Sequence, residues 1–166
     1  MNVAKVIYGD RDRTVREAVQ PLLGLSNVEL LDLSGVGATS GDVDGGAHVV
    51  GAGFGQVELL LIITDAATDG DDTLDVFVDS SPDDGVTWVN FVHFTQVLGN
   101  GANSLKFVAI SPRIGTASEE NVTTDLAAGA TPRPFVGDRV RVRHNVVDPS
   151  GSNASFDFKV VAAFKP

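Results

Sequence analysis

The chain has 166 residues and a mass of 17.3 kDa, a length typical of one domain with a single hydrophobic core. Its 22 acidic and 12 basic residues give a formal charge of −10, which phosphate groups repel, so general nucleic-acid binding is excluded. The absence of cysteine excludes disulfide frameworks, thiol nucleophiles and cysteine-ligated zinc or iron–sulfur sites.

The charge is distributed unevenly along the chain. Residues 17–105 contain fourteen acidic side chains and no lysine or arginine, so every basic residue lies in segments 1–16 and 106–166. Such a block of like charge destabilises a folded chain unless a basic surface, bound cations or external salt offset it. The alternative is a solvated acidic surface that keeps the protein soluble.

The N-terminal segment lacks the apolar core of a signal peptide, and the longest apolar run, Leu59–Ile63, is too short to span a bilayer. The sequence therefore predicts neither classical secretion nor a membrane protein. Apolar residues recur at near-helical spacing within Asp10–Leu23, where Pro21 interrupts them and Gly24 ends them. This pattern predicts an N-terminal arm with a short helix.

The rest of the chain has a β pattern. The first strand is predicted at Val28–Leu33, and a glycine-rich connection follows at residues 34–46. Further strands are predicted at residues 47–53, 56–64, 72–80, 86–95, 104–110, 121–126, 139–147 and 154–164. Short turn-rich connections separate them, except for a long excursion at 111–138. We therefore predict an all-β fold, an antiparallel β-sandwich or jelly roll at 46–166, preceded by an arm and linker at 1–45.

Two strands carry clear predictions about burial. The branched aliphatics of Gln56–Thr64 favour a strand buried on both faces. Residues 72–80 instead alternate, with Leu74, Val76 and Val78 predicted to face the core, opposite Asp75, Phe77 and Asp79.

No catalytic motif emerges from the sequence. His48, His93 and His144 are scattered without paired spacing, and the motifs of serine hydrolases and nucleotide-binding loops are absent. The sequence therefore predicts a protein that is not an enzyme. A jelly-roll hydrolase or lyase, the enzymatic alternative, requires a cleft with clustered histidines or carboxylates.

A group of aspartates could hold a cation. Asp65, Asp69, Asp71 and Asp72 are candidate Ca²⁺ ligands, because this ion prefers several carboxylate and carbonyl oxygens. Their spacing differs from that of an EF-hand, and the alternative is a hydrophilic hairpin. We expect no other cofactor.

Residues 81–88 fit the pattern S-x-D-x-G-x-T-W through Ser81, Asp83, Gly85, Thr87 and Trp88. In such a turn Asp83 accepts backbone amides, Gly85 takes a positive φ and Trp88 packs beneath. The pattern resembles the Asp-box hairpin of sialidases and other propellers, where it is a folding element distant from catalysis. Trp88 as a platform for sugar is the functional alternative.

The stretch TLDVFVDSSPDDGVTWVNFVHFTQVLGNG, with FVAI, GDRVRVRHNVVD and SFDFKVVAAF after it, resembles head decoration (cement) proteins of tailed phages. The resemblance covers roughly residues 56–164. It implies a virion structural protein, made in the host cytoplasm, that forms a homotrimer and binds the major capsid protein on the outer surface of the head. Candidate capsid-gripping residues in the arm are Lys5, Tyr8, Arg11, Arg13 and Arg16.

Arg139, Arg141 and Arg143 share one face of a predicted strand by period two. Three like charges in a row need acidic partners, from the same chain or a neighbouring subunit. We hypothesise that this arginine row holds a homotrimer or the sheet pairing; the alternative is a solvated edge strand.

A second class of function stays open. Exposed aromatics and aspartate loops, with or without Ca²⁺, also fit a carbohydrate-binding β-sandwich of a phage tail or surface protein. Binding to glycans that a chelator abolishes would favour it.

Overall fold

The computed structural model describes residues 27–50, 56–66, 69–101, 104–110, 125–132, 137–151 and 153–165. Within these ranges the chain is all β, without a helix, and the predicted arm and helix lie outside them. No helix of the described residues is long and apolar enough to cross a membrane.

The described residues form ten strands. In chain order they are β1 (Asn27–Val36), β2 (Val43–Asp44), β3 (His48–Val49), β4 (Gln56–Asp65), β5 (Thr73–Ser81), β6 (Val89–His93), β7 (Val97–Leu98), β8 (Ser104–Ile110), β9 (Arg139–Val147) and β10 (Phe156–Lys165).

The strands are arranged in two antiparallel sheets that pack as a β-sandwich. A four-stranded sheet has the order β1-β10-β4-β8, and a six-stranded sheet has the order β2-β9-β5-β6, with β3 also pairing with β9 and β7 with β5. The chain passes from one sheet to the other between β1 and β2, β3 and β4, β4 and β5, β7 and β8, β8 and β9, and β9 and β10. Most strand pairs therefore join distant parts of the sequence.

The core lies between the sheets, as period-two patterning predicts. The four-stranded sheet contributes side chains that are at most 4% exposed, chiefly Val57, Leu59, Leu61, Ile63, Phe156, Phe158, Val160, Ala162 and Phe164. The six-stranded sheet contributes Leu74, Val76, Val78, Phe91, Val140, Val142 and Val146. Each of the larger side chains stabilises the fold by about 1.5–3 kcal/mol on burial, which accounts for a sandwich without disulfides.

Two burial patterns differ from the sequence prediction. The inner residues of β4 are buried, but Leu60 and Ile62 on its other face are half-buried, so the prediction of burial on both faces is wrong. The outward-facing Phe77 and Asp79 of β5 are buried as well. The outer face of the six-stranded sheet is therefore covered, whereas that of the four-stranded sheet is open among the described residues.

The predicted boundary between residues 45 and 46 does not separate a linker from the sandwich. β1 pairs with β10, and β2 pairs with β9, so residues 27–36 and 43–44 belong to the two sheets. Of the strand predicted at 121–126, residues 121–124 lie outside the described ranges, and Asp125 and Leu126 are not in a strand.

The described part of the long excursion lies against the six-stranded sheet. Gly137 donates its backbone N–H to Ser80 Oγ (2.6 Å), and Asp138 donates to the carbonyl of Ser81 (2.9 Å). A Cβ atom at Gly137 would lie 1.9 Å from that same carbonyl oxygen. Glycine is therefore required here by the close approach of two backbones.

Candidate interaction surfaces

The arginine row of β9 lies on the outer face of the six-stranded sheet and is paired within the chain. Arg139 pairs with Asp84, and Arg141 donates to Asp44 (2.6 Å) and to Asp79 (3.1 Å). Because β9 lies between β5 on one side and β2 and β3 on the other, the alternative of a solvated edge strand is wrong. The acidic partners come from the same chain.

Arg143 is the most buried member of the row, at 8% exposure. It donates to both carboxylate oxygens of Asp79 (2.8 and 3.3 Å), to Asp125 (2.8 Å) and to Asp42. Although burial lowers the pKa of Arg143, the hydrogen bonds and charges of Asp79 and Asp125 outweigh it and raise this pKa. The guanidinium is thus permanently charged and fully surrounded by acceptors.

Asp79 is the centre of this network. It is 2% exposed and accepts from Arg141, Arg143 and the side-chain amide of Asn90 (3.2 Å). A buried carboxylate is tolerated only when such partners compensate for its lost hydration. The same Asn90 accepts the backbone N–H of Leu126 (3.0 Å), which ties segment 125–132 to β6.

Aromatic rings extend the network along the sheet. The Arg141 guanidinium lies 4.5 Å from the centre of the Trp88 ring, and that of Arg143 lies 4.3 Å from the centre of the Phe77 ring. Phe77 in turn stacks on His93, with 3.9 Å between ring centres. The arginine over Trp88 occupies a ring face that a sugar would use.

His93 has both ring nitrogens engaged. Nε2 lies 3.0 Å from Asp75 Oδ1, and Nδ1 lies 2.7 Å from the carbonyl oxygen of Leu126. Both partners are acceptors, so both contacts are satisfied when both nitrogens carry protons. Burial lowers the pKa of His93, but these hydrogen bonds and the charge of Asp75 raise it overall. The two acceptors therefore favour the doubly protonated ring over the neutral one.

Asp75, the partner of His93, is held in its charged form. The hydrogen bond from His93 lowers the pKa of Asp75, and a further bond from Gln96 (2.9 Å) acts in the same direction against burial. The other two histidines make separate contacts. His48 Nε2 lies 2.9 Å from the carbonyl oxygen of Leu30, and His144 packs in the core against Phe158. The structure does not bring the three histidines together.

The turn at residues 81–88 is closed by Ser81 and Asp83. Ser81 Oγ donates to Asp83 Oδ1 (2.8 Å) and accepts the N–H of Gly85 (2.8 Å), and the Thr87 N–H donates to the same carboxylate (2.7 Å). The backbone bond from Thr87 is the main reason that the pKa of Asp83 is lowered. Gly85 has φ of 90°, and Trp88 lies beside it.

The candidate Ca²⁺ ligands separate into two places. Asp65 lies at the end of β4, where it accepts the N–H of Ala66 (3.0 Å). Asp72 lies near Asp69, Asp71 and Asp148, and sequence reasoning missed the last of these. Burial and these neighbouring charges raise the pKa of Asp72. In the described ranges, no group of three or more acidic or histidine side chains has metal-binding geometry.

The outer face of the four-stranded sheet has a different character. One row across it, from β8 to β1, is Phe107, Leu60, Val161 and Glu29. The next row is Leu105, Ile62, Lys159 and Asp32. Leu105 and Phe107 are 70% and 61% exposed. We call these eight residues the apolar-to-acidic face: its β8 side is apolar and its β1 side is acidic.

A cleft of about 400 Å³ borders this face. It lies between the edge strands β8 and β6, and Lys106, Phe107 and Thr131 are among the residues that line it. Lys106 makes no ion pair with another residue in the described part of the chain. The cleft therefore continues the open surface around β8.

The predicted site residues of the arm, from Lys5 to Arg16, lie outside the described residues. Sequence reasoning predicted that the arginine row has acidic partners in the acidic middle of the same chain or of a neighbouring subunit, but it did not identify the individual residues. Asp42 and Asp44 lie in the segment interpreted as a linker, and Asp125 lies in the long excursion. The comparisons with known proteins give no match to a family model and no curated relative.

Proposed function

We propose that this chain is a non-enzymatic virion structural protein that decorates the outer surface of a tailed-phage head and binds its major capsid protein. The resemblance of residues 56–164 to decoration proteins supports this proposal. A cysteine-free β-sandwich with a large apolar core also suits a module that must keep its shape on an external shell.

The single observation that carries the proposal is the exposed apolar side of the apolar-to-acidic face. Leu105 and Phe107 project from a strand at the edge of a sheet, next to the half-buried Leu60 and Ile62. Contiguous exposed apolar side chains of this kind are typical of protein interfaces. The face is therefore the best candidate for contact with the shell.

The strand that follows the N-terminal segment in the chain belongs to the sheet that carries this face. β1 begins at Asn27 and belongs to the four-stranded sheet, so the chain from Lys5 to Arg16 precedes a strand of the proposed contact surface. Basic side chains there complement an acidic partner and raise its association rate. We therefore assign the shell-facing side to the four-stranded sheet and its arm.

We retain the homotrimer in the proposal, but we no longer propose that the arginine row forms its subunit contacts. Arg139, Arg141 and Arg143 already have acidic partners within the chain, so replacement of one of them would first disturb the fold. Contacts between subunits, or between three copies at a lattice position, must use other surfaces. The mass of the purified protein by light scattering tests the oligomeric state.

The experiment for the proposed function is cosedimentation of the purified chain with DNA-free, expanded heads of the phage that encodes it. Heads of an unrelated tailed phage are the control. We expect saturable binding at a stoichiometry that matches the icosahedral lattice. Absence of binding to these heads, together with chelator-sensitive binding to a glycan array, would overturn the proposal in favour of a carbohydrate-binding module.

A further inference from the structure

The segment 125–132 lies along β6, an edge strand of the six-stranded sheet. Two backbone donors attach it there: Gly129 donates its N–H to the carbonyl oxygen of His93 (3.0 Å), and Leu126 donates its N–H to Asn90 Oδ1 (3.0 Å). An edge strand has backbone groups that can pair with another chain, so a segment that covers such a strand protects the fold. The attachment of this segment therefore controls access to the edge of β6.

Another contact of the segment depends on a titratable group. His93 Nδ1 lies 2.7 Å from the carbonyl oxygen of Leu126, and Nε2 of the same ring lies 3.0 Å from Asp75 Oδ1. Both partners are acceptors, whereas a neutral imidazole has only one N–H to donate. A neutral ring in this position must therefore present a lone pair to one of the two oxygens.

We propose that the protonated ring of His93 holds segment 125–132 on β6 and that loss of its proton loosens the segment. The contact belongs to the isolated chain, so this inference goes beyond the proposed function and does not depend on it. The neighbours of the ring determine which hydrogen bond is lost and in which direction the attachment changes with pH.

The hydrogen bond to the segment is the one that a neutral ring loses. Asp75 is a charged acceptor that Gln96 also holds in place (2.9 Å), and hydrogen bonds to charged acceptors are about twice as strong as those to neutral ones. The remaining N–H of the ring therefore stays with Asp75. Nδ1 then presents a lone pair to the carbonyl oxygen of Leu126, and the repulsion between these two acceptors favours detachment.

The ring lies among charged groups of four elements, which are Asp75 of β5, Asp125 of the segment, Arg143 of β9 and Lys106 of β8. The two carboxylates favour the protonated ring, and the two cations oppose it. Arg143 is itself paired with Asp125, and its guanidinium lies 4.3 Å from the centre of the Phe77 ring. Lys106 lines the same cleft as His93.

The carboxylates and the carbonyl oxygen outweigh the opposing effects. Burial lowers the pKa of His93, but its hydrogen bonds to Asp75 and Leu126 and the charges of Asp75 and Asp125 raise this pKa overall. The attachment through the ring is therefore present below pH 6.5, and it is lost as the pH rises through the raised value.

Detachment also changes the cleft between β6 and β8. Residues 129–132 line this cleft of about 400 Å³ together with Lys106 and Phe107 of β8. The segment is thus one wall of the cleft. Its loosening opens the cleft and the edge of β6 together.

The test is amide hydrogen exchange of the full chain, measured by NMR from about pH 5.5 to about pH 8.5. The amides of Leu126 and Gly129 are the reporters, and the amides of the central strand β9 are the reference. After correction for the intrinsic pH dependence of exchange, we expect the protection of the reporters to fall about fivefold or more relative to β9 as the pH rises. An equal change in the reporters and in β9 would overturn the proposal, because it would indicate global unfolding.

Variants assign the change to the ring. His93→Gln is neutral at every pH, so the protection of the reporters relative to β9 should become independent of pH. Asp75→Asn removes the carboxylate that favours the protonated ring, so the transition should move to lower pH. His144→Gln, which replaces a histidine of the core, is the matched control and should leave the transition unchanged. A transition that persists in His93→Gln would overturn the proposal.

A second measurement uses only the natural chain. The protonation of the His93 ring is followed by nitrogen NMR, and we expect the amide signal of Leu126 to shift with the same midpoint. A ring that does not titrate in this range, or one that titrates without a shift at Leu126, would contradict the proposal. Because neither measurement uses phage heads, failure of this proposal is distinguishable from failure of the proposed function.

Discussion

The outer faces of the two sheets differ in whether their side chains have partners within the chain. On the six-stranded sheet, charged groups face outward but are paired with one another, and Asp79 and Arg143 are buried in the process. On the four-stranded sheet, Leu105 and Phe107 face outward and are mostly exposed. The strongly charged face is thus the one whose charges are paired within the chain, and the apolar face is the one whose side chains are exposed among the described residues.

This difference changes the meaning of the acidic block. The sequence pattern predicts that fourteen acidic residues without a basic neighbour need an offset from elsewhere. Part of that offset comes from β9 of the same chain, which pairs Arg139, Arg141 and Arg143 with aspartates of the block. Residues 106–166 therefore neutralise part of the block within the fold.

The largest expected effect on the free energy of unfolding is on the outer face of the six-stranded sheet, which we call the closed face. Asp79→Ala removes a buried acceptor from Arg141 and Arg143 and leaves their charges undercompensated, which lowers the free energy of unfolding by about 3 kcal/mol or more. Asp84→Ala is the matched control: its pair with Arg139 is exposed, so its loss costs about 1 kcal/mol or less. Urea denaturation of both variants measures the difference. Equal losses would mean that burial of the network is energetically unimportant.

A substitution in the turn that connects β5 to β6, on the same sheet, should have a smaller effect on the free energy of unfolding. Ser81→Ala removes a buried hydroxyl that donates to Asp83 and accepts from the amide of Gly85, and we expect a loss of about 1–2 kcal/mol. Val86→Ala, in the same turn but 83% exposed, should change the stability by less than about 0.5 kcal/mol. Thermal denaturation compares the two. If Ser81→Ala leaves the stability unchanged, the hydrogen bonds of Ser81 do not stabilise the turn, which would contradict this prediction.

Two histidines on opposite faces of the six-stranded sheet should show opposite pH dependence. The raised pKa of His93 means that its contribution to stability is present below pH 6.5 and is lost as the pH rises through the raised value. Burial lowers the pKa of His144, so its contribution is present above pH 6.5 and is lost as the pH falls below that value.

The measurement is urea denaturation of His93→Gln and His144→Gln between pH 5.5 and pH 8.5 in about half-unit steps. Relative to the natural chain, His93→Gln should be most destabilising at the acidic end and His144→Gln at the basic end. Each difference changes by at most about 1.4 kcal/mol per pH unit. Parallel pH profiles for the two variants would refute a raised pKa for His93 and a lowered pKa for His144.

Period-two patterning predicts most of this fold. The strands at 56–64, 72–80, 104–110 and 139–147 coincide closely with β4, β5, β8 and β9, because a short apolar run, as in 56–64, or an alternation of apolar and polar residues, as in 72–80, is a local property. The turn at 81–88 is equally local. The turn-closing contacts of Ser81 and Asp83 span at most four residues of sequence.

The partners of the arginine row are not local, so the sequence predicted only that they come from the acidic middle of this chain or of a neighbouring subunit, without identifying them. Arg143 and Asp42 are 101 positions apart, and Asp42 lies in a segment whose glycines indicate a connection rather than a strand. The open face of β4 was missed for a related reason. A run such as Leu59–Ile63 is apolar at every position, so its composition does not indicate which face of the strand packs in the core and which is partly exposed.

The smallest effect on stability is expected on the open face. In Leu105→Ser/Phe107→Ser both replaced side chains are mostly exposed, so the free energy of unfolding should fall by about 1 kcal/mol or less. Urea denaturation of this double variant beside Asp79→Ala measures the contrast between the two faces. A loss as large as that of Asp79→Ala would show that these side chains belong to the core.

The most direct test of the contrast is cosedimentation of this double variant with expanded heads, beside the natural chain and Asp84→Ala. If the open face contacts the shell, the double variant binds at least about tenfold more weakly, because apolar anchors carry most of the energy of an interface. Asp84→Ala, altered on the closed face, binds as the natural chain does. Undiminished binding by the double variant, or a loss confined to Asp84→Ala, would contradict the account.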